Sequence, residues 1–240
     1  MDDKLKEYSE TIQLATYDVG VKNKLRLSSL MRYCQEISER HLGVYGLPYE
    51  KLKADGLVFV FTRAQIKIHN LPVHRDTIRM TTRACGVVGA QFYREFEVWR
   101  GEELMVEVLE ASALVSAREH RLLRPKAFSR YGISAGENSG QRLGRIAMPK
   151  DAPQVGERMV RYSDLDYNGH LNNAIYCDIF CDFVPGGMMG RNLVDFQIHF
   201  VLETRLGENL KIYAKEEDGA VYLGGDNPRG SSFVCRAVFE

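Results

Sequence analysis

The sequence predicts an α+β fold built twice over. In each half of the 240 residues, one helix precedes a series of strands, the order expected of an antiparallel sheet wrapped round that helix. Three observations carry this. Apolar residues recur at helical spacing once in each half. Runs rich in β-branched and aromatic residues, broken by glycine, follow each helix. The two halves align with one another once a single insertion is allowed.

The first helix is expected over 27–41, where Leu27, Leu30, Met31, Cys34 and Ile37 recur at spacings of three and four. In the second half Leu171, Ala174, Ile175, Ile179, Phe180 and Phe183 do the same. That helix is expected over 171–184, stopped by Pro185-Gly186-Gly187. Short extended segments near Tyr17-Asp18 and Tyr162-Ser163 lead into the two helices. Strands are expected at 58–69, 77–85, 91–100 and 104–117, punctuated by Gly86, Gly89 and Gly101. The second half repeats them at 195–202, 209–216, 220–223 and 232–239, so each half is a helix plus about five strands.

The helices align at an offset near 144, which places Leu27 on Leu171. The later strands align at 132, with Gln65-Ile-Lys-Ile68 on Gln197-Ile-His-Phe200. An extra segment of about 12 residues near 45–56 reconciles the two. Residues 1–124 are therefore one repeat and 155–240 the other. Residues 125–154 form a basic linker, rich in proline and glycine, between them. From Arg118 to Lys150 there are eight Lys/Arg against two Glu.

Composition excludes more than it selects. Lys plus Arg and Asp plus Glu stand at 32 each, so global charge names no partner, and nothing points to nucleic acid. No apolar run approaches the ~20 residues of a membrane helix. The charged start, Met-Asp-Asp-Lys-Leu-Lys-Glu, does not read as a signal peptide. Five scattered cysteines without a CxxC pair speak against zinc ribbons and fit a reducing cytoplasm.

The richest stretch is Arg161-Tyr-Ser-Asp-Leu-Asp-Tyr-Asn-Gly-His-Leu-Asn-Asn-Ala-Ile-Tyr176. Asp166, Asn168 and His170 alternate, as side chains on one side of an extended segment would. An apolar helical pattern follows at once, so a carboxylate, an amide and an imidazole are expected beside the unpaired N–H groups of a helix start. That combination suits hydrolysis of an acyl compound, with the helix amides receiving the oxyanion. Other readings stay open at this level. Asp164 reads as a turn cap, Asn172 and Asn173 as helix caps, and Asp166 and Asn168 as turn formers. One histidine without a second ligand at helical spacing is a poor zinc site, and a thioester needs no metal or cofactor to be hydrolysed.

The whole chain resembles the acyl-acyl-carrier-protein thioesterases of bacteria and plant plastids, which are tandem hotdog proteins. The stretch above matches that family's Asp, Asn and His at alternate positions, followed by two Asn and a Tyr. Phe59-Val-Phe-Thr-Arg63 resembles its "WVLTR" strand, and Leu202-Glu-Thr-Arg-Leu-Gly-Glu208 lies where it has a catalytic Glu. The resemblance implies a double hotdog of two antiparallel sheets, each wrapped round a central helix. It also implies hydrolysis of a fatty acyl thioester on acyl carrier protein, with Asp166, Asn168, His170 and Glu203 as functional positions. No cofactor, metal, nucleic acid or membrane span is expected, and a homodimer is allowed for. Many plant members carry Cys after the Glu; here Thr204 stands there, so a cysteine nucleophile lacks its residue.

The first repeat reads as degenerate: its segment 17–25 has no His, and Leu71 takes the place of Glu203. One active site per chain is expected, the first hotdog supplying acyl-pocket walls. Among other hotdog functions, acyl-CoA hydrolysis shares the chemistry. A dehydratase would need a different signature. A non-enzymatic acyl-binding regulator would need a helical DNA-binding module, for which the roughly 16 residues before the first repeat are too few.

Overall fold

The computed structural model describes residues 7–137 and 139–240; the stretch 1–6, on which the signal-peptide expectation rests, lies outside the described residues. The chain divides into two compact units. Of the described residues, one holds 7–64, 69–137 and 139–143, the other Gln65–Ile68 and Gly144–Glu240. Among the described residues no helix is long and apolar enough to cross a membrane.

The first unit runs β1 (Glu7–Gln13), α1 (Leu27–Val44), α2 (Tyr49–Ala54), β2 (Leu57–Ile68), β3 (Thr77–Val88), β4 (Gln91–Arg100) and β5 (Glu103–Ser116). β1 pairs with β3, β3 with β4 and β4 with β5, all antiparallel. β2 lies outside β5. Leu27, Leu30, Met31, Cys34 and Ile37 of α1 are all buried, so the 3-and-4 spacing marked the core face.

The second unit runs β6 (Gln154–Met159), α3 (Ile175–Phe183), β7 (Leu193–Phe200), β8 (Asn209–Glu217), β9 (Ala220–Asn227) and β10 (Gly230–Phe239). Its strand order is β7-β10-β9-β8-β6, every pair antiparallel. α3 sits on this sheet through aromatic contacts: Tyr176 on Phe233 at 4.9 Å, and Phe180 on Phe196 at 4.9 Å. Gly156 of β6 is needed because a Cβ there would strike the Phe183 ring. Each unit thus has five strands. The ones unlisted from sequence, β1 and β6, are edge strands whose half-exposed alternation leaves a weak hydrophobic signal.

The duplication is visible hydrogen bond by hydrogen bond. In the first unit Asp18 N–H donates to Ala15 O, Gly20 to Lys24 O, Asn23 to Gly20 O, Leu25 to Pro72 O and Arg26 to Asp18 O. In the second, Asp164 donates to Arg161 O, Asp166 to His170 O, Gly169 to Asp166 O, Leu171 to Thr204 O and Asn172 to Asp164 O. These pairs fix the offset before the helices at 146 (Leu25 on Leu171), not the 144 read from sequence. The later offset stays at 132: Pro72 on Thr204. Periodicity alone puts Leu27 and Leu171 each at the start of a helix. Leu171 precedes its helix by four residues. The extra length of the first repeat resides in the longer α1 and in α2.

The basic stretch after β5 is ordered piecewise. Two 3-10 turns, Pro125–Ala127 and Ser129–Tyr131, flank Phe128. That ring is buried with Leu47, Leu52, Leu57 and Leu114 in the first unit. Ile146 N–H bonds His199 Nδ1 within the second unit.

Candidate active site

The segment 161–172 is a chain of turns rather than the extended run that the alternation of Asp166, Asn168 and His170 suggested. It opens with a 3-10 turn, Tyr162–Asp164. Asp164 is buried; its carboxylate accepts Arg161 N–H at 2.9 Å and the Arg158 guanidinium at 2.6 Å. Its role is to hold the turn. Leu165 then bridges Leu171, and between them Asp166 N–H donates to His170 O at 2.9 Å. Gly169 N–H closes back on Asp166 O at 3.0 Å. Gly169 has φ +81°, a conformation that glycine adopts without strain. Asn23 occupies the matching place in the first unit at φ +58°.

Asp166 Oδ1 accepts two amides of its own turn, Asn168 N–H at 2.8 Å and His170 N–H at 3.3 Å. Local side-chain bonding of this kind competes with extended backbone, which is why the segment curls. Asn168 stands at the exposed tip. His170 stands at the turn's far end, bridged to Arg205. Its Nε2 lies 3.1 Å from Glu203 Oε2, the two side chains 33% and 38% exposed. Of the four expected site residues, the structure joins His170 to Glu203 directly and Asp166 to the main chain that presents His170.

Three residues the sequence reading left out complete the surroundings of Glu203. Arg205 donates to Glu203 Oε1 through Nε at 3.0 Å and through a terminal nitrogen at 2.6 Å. The Glu203 carbonyl accepts Asn227 Nδ2 at 3.0 Å and the Arg229 guanidinium. Partial burial pushes the Glu203 carboxyl up. The Arg205 hydrogen bond and the charges of His170, Arg205 and Arg229 outweigh that and hold it below its ordinary value. Arg205 was within reach of a sequence argument, since i and i+2 share a side in extended chain. Asn227 and Arg229 come from a distant hairpin and carried no such mark.

Thr204 faces the other way. It is fully buried, and its Oγ1 lies 2.7 Å from Ser232 Oγ, 3.3 Å from Asn227 Nδ2 and 3.4 Å from the Tyr176 hydroxyl. The position where the resemblance would allow a cysteine is here part of a core hydroxyl network. The signature Tyr176 belongs to that network, and burial raises its phenol.

The helix start also differs from expectation. α3 begins at Ile175, not Leu171, because a helix starting at Leu171 would need Ile175 N–H on Leu171 O, and that amide bonds Asn172 O instead. Leu171 N–H bonds Thr204 O, Asn172 N–H bonds Asp164 O, Ala174 N–H bonds Asn172 Oδ1, and Ile175 N–H bonds Asn172 O. Among the described residues this leaves the amides of Asn173 and Tyr176 without a protein acceptor. Asn173 is half-buried and Tyr176 buried. Among the described residues no cluster of three or more His, Cys, Asp or Glu is placed to hold a metal ion.

In the first unit the same turn carries Gly20, Lys22 and Lys24 where the second has Asp166, Asn168 and His170, and Lys24 bridges Val73 as His170 bridges Arg205. Leu71 stands at the Glu203 position. No acid or imidazole occupies this frame.

The chain is similar to known proteins over most of its length. Residues 5–123 match the acyl-ACP thioesterase N-terminal domain and 148–230 the acyl-ACP thioesterase C-terminal domain. An acyl-[acyl-carrier-protein] hydrolase, FATB3, chloroplastic, of Cuphea viscosissima is 24% identical over 194 residues, covering 74% of this chain and 47% of its own. A chloroplastic dodecanoyl-[acyl-carrier-protein] hydrolase of Cinnamomum camphora is 21% identical over 235 residues, covering 90% and 61%. The chain therefore spans about half to three-fifths of these relatives' length. Two solved structures share its fold at TM-score 0.82 and 17% identity. They are an acyl-ACP thioesterase from Bacteroides thetaiotaomicron, covering 100% of both chains, and a 12:0-ACP thioesterase from Umbellularia californica, covering 98% and 97%. The expected tandem-hotdog α+β fold is the one observed, and the chain belongs to the acyl-ACP thioesterase family.

Proposed function

We propose that this chain hydrolyses the thioester of a fatty acyl-acyl carrier protein, releasing the fatty acid and ending chain elongation. The observation that carries this is the His170–Glu203 pair, 3.1 Å apart, inside the region that matches the family's C-terminal domain. A thioester needs a positioned water, a base and oxyanion donors. Glu203 is a weak base because Arg205, His170 and Arg229 stabilise its ionised form. His170, whose imidazole Glu203 holds, therefore takes the proton from the attacking water. Glu203 orients the ring and stabilises the imidazolium, and Arg205 holds Glu203. Asp166 acts through its turn, and Asn168 contacts substrate from the exposed tip. The Asn173 amide is the oxyanion donor that the helix start leaves over. The proton on His170 passes to the departing thiolate.

The eight cations from Arg118 to Lys150 are each exposed, and acyl carrier proteins are strongly acidic. This supports a steering role for part of the stretch. Five cysteines, none of them in a disulfide, support a reducing, cytoplasmic setting. The decisive experiment measures thiol release from one acyl chain carried by acyl carrier protein and by coenzyme A. Faster turnover of the carrier-protein substrate, lost in His170→Ala, is expected. A folded protein inactive on both would end the proposal, and preference for coenzyme A would reassign the carrier.

A further inference from the structure

The first unit buries a cluster of ionisable groups that its fold does not require. Glu110 of β5 is 2% exposed, and among the described residues neither carboxyl oxygen has a hydrogen-bond partner. Its cross-strand neighbour is Arg94 of β4. The Arg94 guanidinium does not turn to it. One terminal nitrogen donates instead to His41 Nδ1 at 2.9 Å and Thr82 Oγ1 at 3.1 Å. Because arginine only donates, His41 Nδ1 accepts, and the ring hydrogen sits on Nε2. His41 lies near the end of α1, stacked on Tyr8 of β1 at 5.7 Å and tilted against Tyr45 at 5.2 Å.

The second unit shows what the fold asks for at this register. Arg94 pairs with Ala84 of β3; at the offset of 132 Ala84 falls on Glu216 of β8, which pairs with Val221 of β9, and Val221 in turn pairs with Ala237 of β10. Val221 and Ala237 are both buried. An apolar pair suffices there, so the charges of the first unit are a feature of that unit.

An ionised carboxylate left unpaired beside a guanidinium is costly in a buried site, and the neutral acid is the form that tolerates it. We propose that Arg94 is a two-position switch operated by one proton on Glu110. With Glu110 neutral, the guanidinium stays on His41 and Thr82 and ties the end of α1 to the sheet. When Glu110 gives its proton to solvent, the guanidinium moves to the new carboxylate and lets His41 go. Among the described residues the other titratable groups beside this cluster are Tyr45, which caps α1, Tyr8 of β1 and Cys85 of β3. The Tyr8 hydroxyl donates to Glu10. Burial pushes the Cys85 thiol up to about 12 and raises the Tyr45 phenol, so neither competes for the proton near neutrality. Burial likewise pushes Glu110 up to about 8 against the opposing charge of Arg94, which places the switch just above neutral pH.

The test uses the full chain with ¹³C-labelled glutamate carboxyls, the Glu110 resonance being the one absent from Glu110→Gln. It is expected to titrate near pH 8. Hydrogen exchange at the last turns of α1 is then compared at pH 6.5 and 9.5. The wild type is expected to lose about tenfold more protection than Glu110→Gln across that step. Should Glu110→Gln fail to fold, the double variant Arg94→Val/Glu110→Ala, which carries the second unit's residues, serves as the reference. Titration in the ordinary glutamate range, or equal loss of protection in wild type and reference, would overturn the switch.

Discussion

Glu203→Gln keeps the shape of the side chain and removes its charge, so it isolates what the carboxylate does for His170. Opposite charges about 4 Å apart gain roughly 1 kcal/mol in water and roughly 4 kcal/mol at the effective dielectric of a protein surface. His170 and Glu203 are 33% and 38% exposed, which places the pair between those limits. About 2 kcal/mol of imidazolium stabilisation is then at stake, or roughly 30-fold in kcat at 1.4 kcal/mol per decade. His170→Ala removes the base itself and is expected to cost ~10²–10⁴-fold. The assay is single-turnover thiol release from an acyl carrier protein substrate between pH 6 and 9, with thermal unfolding as the folding control. The pH dependence of stability gives an independent reading. Folding lowers the Glu203 carboxyl. Its contribution is therefore present above the ordinary glutamate range and lost as pH falls through the folded value. Glu203→Gln should lack that acid limb. A folded Glu203→Gln enzyme within twofold of wild-type kcat across the pH range would refute the assigned roles.

Thr204→Val should lower stability by about 1–3 kcal/mol through the broken hydroxyl network, while kcat stays within severalfold. A folded variant with no turnover would make the hydroxyl part of the chemistry. Lys24→Ala and Leu71→Ala, at the positions matching His170 and Glu203, should leave kcat within about twofold, because the first unit has neither acid nor imidazole in that frame. Half the activity surviving in His170→Ala would instead reveal a second centre. Reversing Arg124, Lys126 and Arg130 to Glu should lower kcat/KM for the carrier-protein substrate at low salt and spare a short neutral thioester, since steering is screened within ~8 Å at physiological salt. Equal effects on both substrates would take this stretch out of docking.

The sequence alone determined the helix core faces, eight of the ten strands, the duplication and the signature around His170. These are local or periodic properties: burial imposes the 3-and-4 spacing on a helix, and a repeat imposes it twice. Glu203 became a site residue through resemblance, because one carboxylate in a strand-to-turn segment carries no mark of what it faces. What tertiary structure decided depends on hydrogen bonds between segments distant in the chain. Leu171 does not begin the helix: its N–H is tied to Thr204 O, 33 residues on, and Ile175 N–H bonds Asn172 O rather than Leu171 O, and neither bond is visible to periodicity. Asp166 was read as a presented carboxylate; the turn bends it onto its own amides. Thr204 and Glu203 are adjacent in sequence yet diverge, one into the buried network of Ser232 and Tyr176, the other onto His170 and Arg205. Extended chain sends neighbouring side chains to opposite sides, but only the packed unit determines which side is core and which is site.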